Sequence, residues 1–208
     1  MPPQLRFPGR TGTSLVSAVL LVVAVVALGL AVALPIDQLS QQGGSVPVTP
    51  ADLGADRSLE LTGLPGGVDV VDATAEARLT VSELPPGLRA LTALPDVLTL
   101  VAVAIGAWLL GRVLSTIHDG RPFDRRNAGR LAGLAAAVLV GGLVVPLAEG
   151  AVAGAVLAHL DLVGPEGPFL AFEATLSFVP VGVALALTAV AEAFRRGRAL
   201  EDELEGTV

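Results

Sequence analysis

The chain contains no cysteine, no lysine and no tyrosine, a single tryptophan, a single methionine and two histidines. Without cysteine there is no disulfide, no thiol nucleophile and no thiolate metal ligand, so a domain facing an oxidising compartment must hold itself by packing alone. With no lysine, every fixed positive charge is an arginine. The heavy use of Ala, Gly and Val fits the compositional bias of a GC-rich bacterial genome and carries no functional information. No phosphate-cradling glycine loop, paired carboxylates or positioned serine–base set is present, and the sequence therefore predicts a non-enzyme without a cofactor or catalytic residues.

Long apolar runs dominate what is there. They cover Ser14 to Leu34, Leu94 to Ile117, Ala128 to Ala148 and Phe169 to Phe194. A hydrocarbon core about 30 Å thick is crossed by roughly 20 helical residues, and each run is long enough. The predicted fold is an all-α membrane protein, a four-helix transmembrane bundle with a small β-containing extracytoplasmic insertion between spans one and two. Its expected segments are a cytoplasmic tail 1–13, span one 14–34, an outer segment 35–93, span two 94–117, a cytoplasmic loop 118–127, span three 128–148, an outer loop 149–168, span four 169–194 and an acidic cytoplasmic tail 195–208.

Charge sets the threading. Arg6 and Arg10 precede span one, Arg112, Arg121, Arg125, Arg126 and Arg130 surround the connection between spans two and three, and Arg195, Arg196 and Arg198 follow span four. The loop 149–168 has no arginine, and in the segment 35–93 three arginines are outnumbered by eight acids. The positive-inside rule puts both termini in the cytoplasm of a bacterial plasma-membrane protein. Ala31-Val32-Ala33 matches the small-x-small pattern of a signal-peptidase site. The 21-residue run from Ser14 exceeds the roughly 7 to 15 residues of a signal peptide's apolar core, however, and favours an uncleaved anchor.

In the outer segment, Gln41 to Pro50 reads as a flexible stretch. Leu59–Thr62, Val68–Val71 and Ala77–Val81 then alternate apolar and polar residues as strands do. Such a small sheet is marginal alone in water and predicts packing against the spans or a second copy. Pro95 suits the first turn of span two. Pro146 and Pro180, inside apolar runs, predict bends in spans three and four. Gly129-x-x-x-Gly133, Gly141-Gly142 and Gly150-x-x-x-Gly154 predict close helix approach, a homo-oligomer among the arrangements.

Charge inside a span is costly and draws attention to function. Asp96, Glu149 and Glu173 lie at the outer span ends and read as interfacial carboxylates, with a proton or cation site between Glu149 and Glu173 as the alternative. Arg112 and Glu192 lie a turn or two inside the cytoplasmic ends of spans two and four. Two arrangements are open: an interhelical ion pair between them, or Arg112 reaching for the headgroups while Glu192 pairs with Arg195 or Arg196. His118 and His159 fall on opposite sides of the membrane and cannot share a metal.

The loop has specific local physics. Gly120 stops one helix and Pro122 forbids its continuation, Asp124 is placed to cap the next, and Asn127 sits at the third position of a capping-box-like pair. Phe123 is then free to insert beneath the headgroups. The run Asp119-Gly120-Arg121-Pro122-Phe123-x-x-x-Asn127-x-x-x-Leu131 resembles the loop of a bacterial family of four-span proteins, domain of unknown function 2975, with its G-x-P-F-x-x-x-N-x-x-x-L pattern. The close of the chain is similar to that family's ending, through Glu192, Phe194, Gly197, Leu200, Glu203 and Thr207.

The family carries no established biochemical activity. Its members are often encoded beside a small Xre-type helix-turn-helix regulator, so the resemblance implies a membrane partner of a DNA-binding protein that does not itself bind nucleic acid. Glu201, Asp202, Glu203 and Glu205 suit a basic DNA-binding surface as a decoy, or simply keep the helix end soluble. A second expectation, from another class, is a small oligomeric transporter or channel component.

Overall fold

The computed structural model describes residues 10–40, 44–48, 68–71, 77–81, 83–163 and 169–205. In chain order the elements are α1 (Arg10–Ser40), β1 (Gly44–Val48), β2 (Val68–Val71), β3 (Ala77–Val81), α2 (Pro86–Thr92), α3 (Leu94–His118), α4 (Arg125–Leu139), a π-helical turn (Val140–Val144), α5 (Val145–His159) and α6 (Val179–Glu205). The protein is mostly helical. Three stretches of helix, Leu15–Ser40, Pro86–His118 and Arg125–His159, are long and apolar enough to cross a membrane.

α1 is apolar around nearly its whole circumference. Ala24, Ala27 and Ala31, on one stripe, are buried, while Val19, Val22, Val25, Leu28 and Val32 are exposed. A helix apolar all round belongs in lipid, where exposed aliphatic groups cost nothing.

Helix ends depart from the apolar runs in ways local chemistry explains. α1 continues through Pro35 to Ser40. The third run does not stop at Ala148. Pro146 removes one backbone hydrogen bond and its ring crowds the carbonyl of Gly142, and the π-helical turn immediately before it absorbs that mismatch. The helix then resumes to His159, so much of the expected loop 149–168 is helical.

Residues 169–178, expected to begin span four, are non-helical apart from bends and a single bridge at Phe169. α6 starts only at Val179, which puts Pro180 in its first turn, where proline bends nothing. Charge begins at Glu192, leaving α6 an uninterrupted apolar run only from Val179 to Ala191.

The chain forms two compact units. In the unit of Leu30–Thr99 and Leu143–Leu176, the strands form an antiparallel sheet in the order β1-β3-β2, with Val46 opposite Leu79 and Val70 opposite Leu79 from the other side. Pro47 is tolerated because β1 is an edge strand. β1 lies where a flexible stretch was expected, and the expected strand Leu59–Thr62 falls outside the described residues.

The sheet packs on α5, burying Val46, Val81, Leu84, Val152, Val156, Leu157 and Phe169 in one core. Burying each large aliphatic side chain contributes about 1.5–3 kcal/mol. Gly150 and Gly154 admit the carbonyls of Glu173 and Ala171, where a Cβ would collide. The glycine pair thus seats an extended strap instead of the partner span its spacing suggested. Arg89 donates to the carbonyls of Leu84 (2.8 Å) and Leu39 (3.4 Å), and Thr92 bonds Gln38, tying α2 to the end of α1.

In the unit of Met1–Gly29, Leu100–Gly142 and Ser177–Val208, α4 lies along α6. Val113, Leu131 and Ala191 are buried together with Leu187 and Phe194 against them. Gly142 faces the ring of Pro180, which leaves no room for a Cβ.

Candidate functional site

The arginine-rich ends of α3, α4 and α6 converge on one buried assembly. α3 closes with Gly120 in the left-handed region at φ +74, and the amides of Gly120 and Arg121 return to the carbonyls of Ile117 (3.1 Å) and Thr116 (3.0 Å). That paired bonding is a Schellman closure, which glycine supplies without the strain a Cβ would bring. Asp124 then caps α4, its carboxylate accepting from the amide of Arg126 at 2.8 Å.

That amide hydrogen bond, aided by the nearby charges of Arg130, Arg126 and Arg121, holds the Asp124 carboxyl below its ordinary value of 3.8. A depressed pKa in the folded state adds stability above the unfolded pKa and loses it as pH falls through the folded one. The melting advantage of the native protein over Asp124→Ala, measured in detergent, should therefore be full at pH 7 and shrink as pH drops below 3.8.

Asn127 is fully buried. Its amide nitrogen donates to the carbonyl of Pro122 and to the hydroxyl of Thr116, both at 2.8 Å, and its oxygen accepts from Arg130 at 2.9 Å. Thr116 passes its own proton to the carbonyl of Val113 at 2.8 Å, and Arg130 also donates to the carbonyl of Arg112 at 3.1 Å. The Asn127 side chain therefore does not reach back to the cap as a capping box requires. It fastens the loop to the last turn of α3.

Phe123 does not insert among headgroups either. It meets Phe194 edge-on with centroids 5.7 Å apart and lies over Gly197, where a Cβ would come within 2.5 Å of Cε1. Leu131 completes the group within the core shared with Phe194. Phe123 and Leu131 thus meet Phe194 and Gly197 of the tail, while Gly120, Pro122 and Asn127 close α3 and fasten the loop that carries Phe123. Sequence reasoning missed Thr116 and Arg130 as members. The available signal was Thr116 itself, a hydroxyl in the last turn of a nearly all-apolar helix.

The remaining tail residues behave differently. Glu192 pairs with Arg195 and, at 2.8 Å, with Arg196 on its own helix. Arg112 instead lies over the Trp108 ring, 5.5 Å from its centroid. The interhelical pair between Arg112 and Glu192 is not formed, because the i+3 and i+4 arginines reach Glu192 first. Leu200 is 61% exposed and Glu203 is exposed, whereas Thr207 lies outside the described residues.

A family model described as a protein of unknown function, DUF2975, matches residues 74–208. The chain belongs to the DUF2975 family. The matched region holds β3 and everything after it, both halves of the Phe123–Asn127 assembly included, and leaves out α1, β1 and β2. No curated protein and no solved structure matches the chain. Within this DUF2975 protein, four of the residues that carry the resemblance, Phe123, Leu131, Phe194 and Gly197, join the loop side to the tail.

Proposed function

We propose that the protein is a non-enzymatic, four-span membrane partner of a small Xre-type helix-turn-helix regulator, with both termini in the cytoplasm. In this reading α6 supplies the fourth span through its apolar part from Val179 to Ala191, and the segment 35–93 that holds the sheet is the extracytoplasmic insertion. The observation that carries the proposal is the continuity of α6. The helix runs without a break from its apolar part through Gly197, locked under Phe123, to Glu205, and carries exposed Leu200 and exposed Glu203.

An acidic helix with an apolar residue on it suits a basic DNA-binding face by charge complementarity. The test is affinity capture from native membranes using a tag on the tail. Recovery of a helix-turn-helix protein, lost when Glu201, Asp202, Glu203 and Glu205 are changed to glutamine, is the expected result. Capture of only further copies of this chain, together with ion leak from reconstituted liposomes, would overturn the proposal in favour of a transporter or channel component.

A further inference from the structure

Between α1 and α3, within one compact unit, lies a cavity of about 290 Å³ lined by Ser17, Leu21, Ala107, Trp108, Gly111 and Arg112, with Ser115 beside them. Its walls are aliphatic and aromatic, its one cation is Arg112, and its hydroxyls are Ser17 and Ser115. Gly111 marks where α1 passes close to α3, since a Cβ there would come within 3.6 Å of the Leu20 Cβ and 3.8 Å of the Ser17 carbonyl oxygen.

Several features point to an anionic occupant. No carboxylate of the described residues lies within ion-pairing distance of Arg112. Its guanidinium rests over Trp108, which holds one face of the group and leaves its N–H edge free to address an oxyanion. The Ser17 hydroxyl is buried without a hydrogen-bond partner, an unfavourable arrangement that a bound acceptor would relieve. Ser115 donates its one hydroxyl proton to the carbonyl of Arg112 on its own helix and addresses a ligand only by giving up that bond.

Depth identifies the source of that anion. Arg112 precedes the end of α3 at His118 by six residues, and Ser17 follows the start of α1 at Arg10 by seven, which places both about 9–10 Å along their helices from the arginine-rich ends. Both lie inside the spans 14–34 and 94–117 expected from the sequence, about 5–8 Å from the ends of those spans, a depth from which an arginine side chain reaches up to the lipid phosphates. A cavity of 290 Å³ is small for a ligand site, where about 300–1,000 Å³ is usual, and has the size of a headgroup and not of a whole amphiphile. The chains must lie outside it. Leu21 and Val25, at i+4 and i+8 from Ser17, are 56% and 64% exposed and continue the same face of α1 as an apolar track.

We infer that this cavity binds the phosphate of an anionic membrane phospholipid, held by Arg112, Ser17 and Ser115, with an acyl chain along Leu21 and Val25. The carbonyl of Arg112 also accepts from Arg130, so the site is one hydrogen bond from the Asn127 assembly.

Trp108 is the only tryptophan of the chain, so its fluorescence reports on the cavity directly. The full-length protein in non-ionic detergent would be titrated with phosphatidylglycerol, with phosphatidylcholine and, separately, with inorganic phosphate. A saturable emission change with phosphatidylglycerol, at least tenfold weaker with phosphatidylcholine and absent with millimolar phosphate, is expected. Arg112→Gln should weaken the midpoint tenfold or more and Ser17→Ala several-fold. Should Arg112→Gln fail to fold, Arg112→Lys, which keeps charge without the planar fork, should weaken binding by a smaller factor. Equal response to both lipids, displacement by inorganic phosphate, or an unchanged midpoint in the folded Arg112 and Ser17 variants would each overturn the inference.

Discussion

Asn127→Ala should lower the melting temperature of the detergent-solubilised protein by roughly 5–15 °C. The truncation strands the carbonyl of Pro122, removes the donor to the Thr116 hydroxyl, which keeps its bond to Val113, opens a hole at a fully buried position and takes from Arg130 a charge-assisted acceptor. Leaving buried polar groups without partners costs about 1–3 kcal/mol each, and not all of that is realised because the loop can relax toward water. A net loss of about 2–4 kcal/mol converts at about 2–4 °C per kcal/mol for a chain of this size. Because Thr116 and Asn127 share bonds, their effects should not add: Thr116→Val should cost clearly less in the Asn127→Ala background than in the native protein. A shift of under 2 °C for Asn127→Ala would show that the network has no structural weight.

Gly197→Val should be comparably damaging, by roughly 4–12 °C, for the opposite reason. Here matter is added. A Cβ at position 197 would lie 2.5 Å from Cε1 and 2.8 Å from Cδ1 of Phe123, so the ring must leave its place. Overpacking costs about 1–3 kcal/mol, and the ring would also forfeit its edge contact with Phe194, worth about 0.5–1.5 kcal/mol. The diagnostic is coupling. Phe123→Ala alone should destabilise by losing that contact, yet adding it to Gly197→Val should raise the melting temperature. If the double variant melts as low as the sum of the two single changes, the ring and the glycine do not meet.

Three of the apolar helices were legible in the sequence, because apolar length acts through the bilayer and needs no tertiary partner. The cap at Asp124, the stop at Gly120 and Pro95 in the first turn of α3 were legible for a related reason, since each depends only on residues within a few positions. What escaped was decided at a distance. Asn127 reads as a capping residue until α3 is known to end with Thr116 beside it, and Phe123 reads as an interfacial anchor until α6 offers a glycine. Pro146 promised a bend, but the sequence did not say that a π-helical turn would take it up. Phe169 to Phe178 carried enough apolar residues for half a span, yet the strap they form is seated by Gly150 and Gly154, which no local rule foresees.

The two places where α6 receives or presents a ring against a glycine have a mechanical consequence. Pro180 of α6 sits in the gap at Gly142, and Gly197 of α6 receives Phe123. These notches are seventeen residues apart, about 25 Å along the helix axis. A rod engaged at two such points cannot slide by a turn or spin about its axis without lifting a ring out of its seat. Whatever moves the acidic end of α6 must therefore either unseat Phe123 or carry α4 along with it.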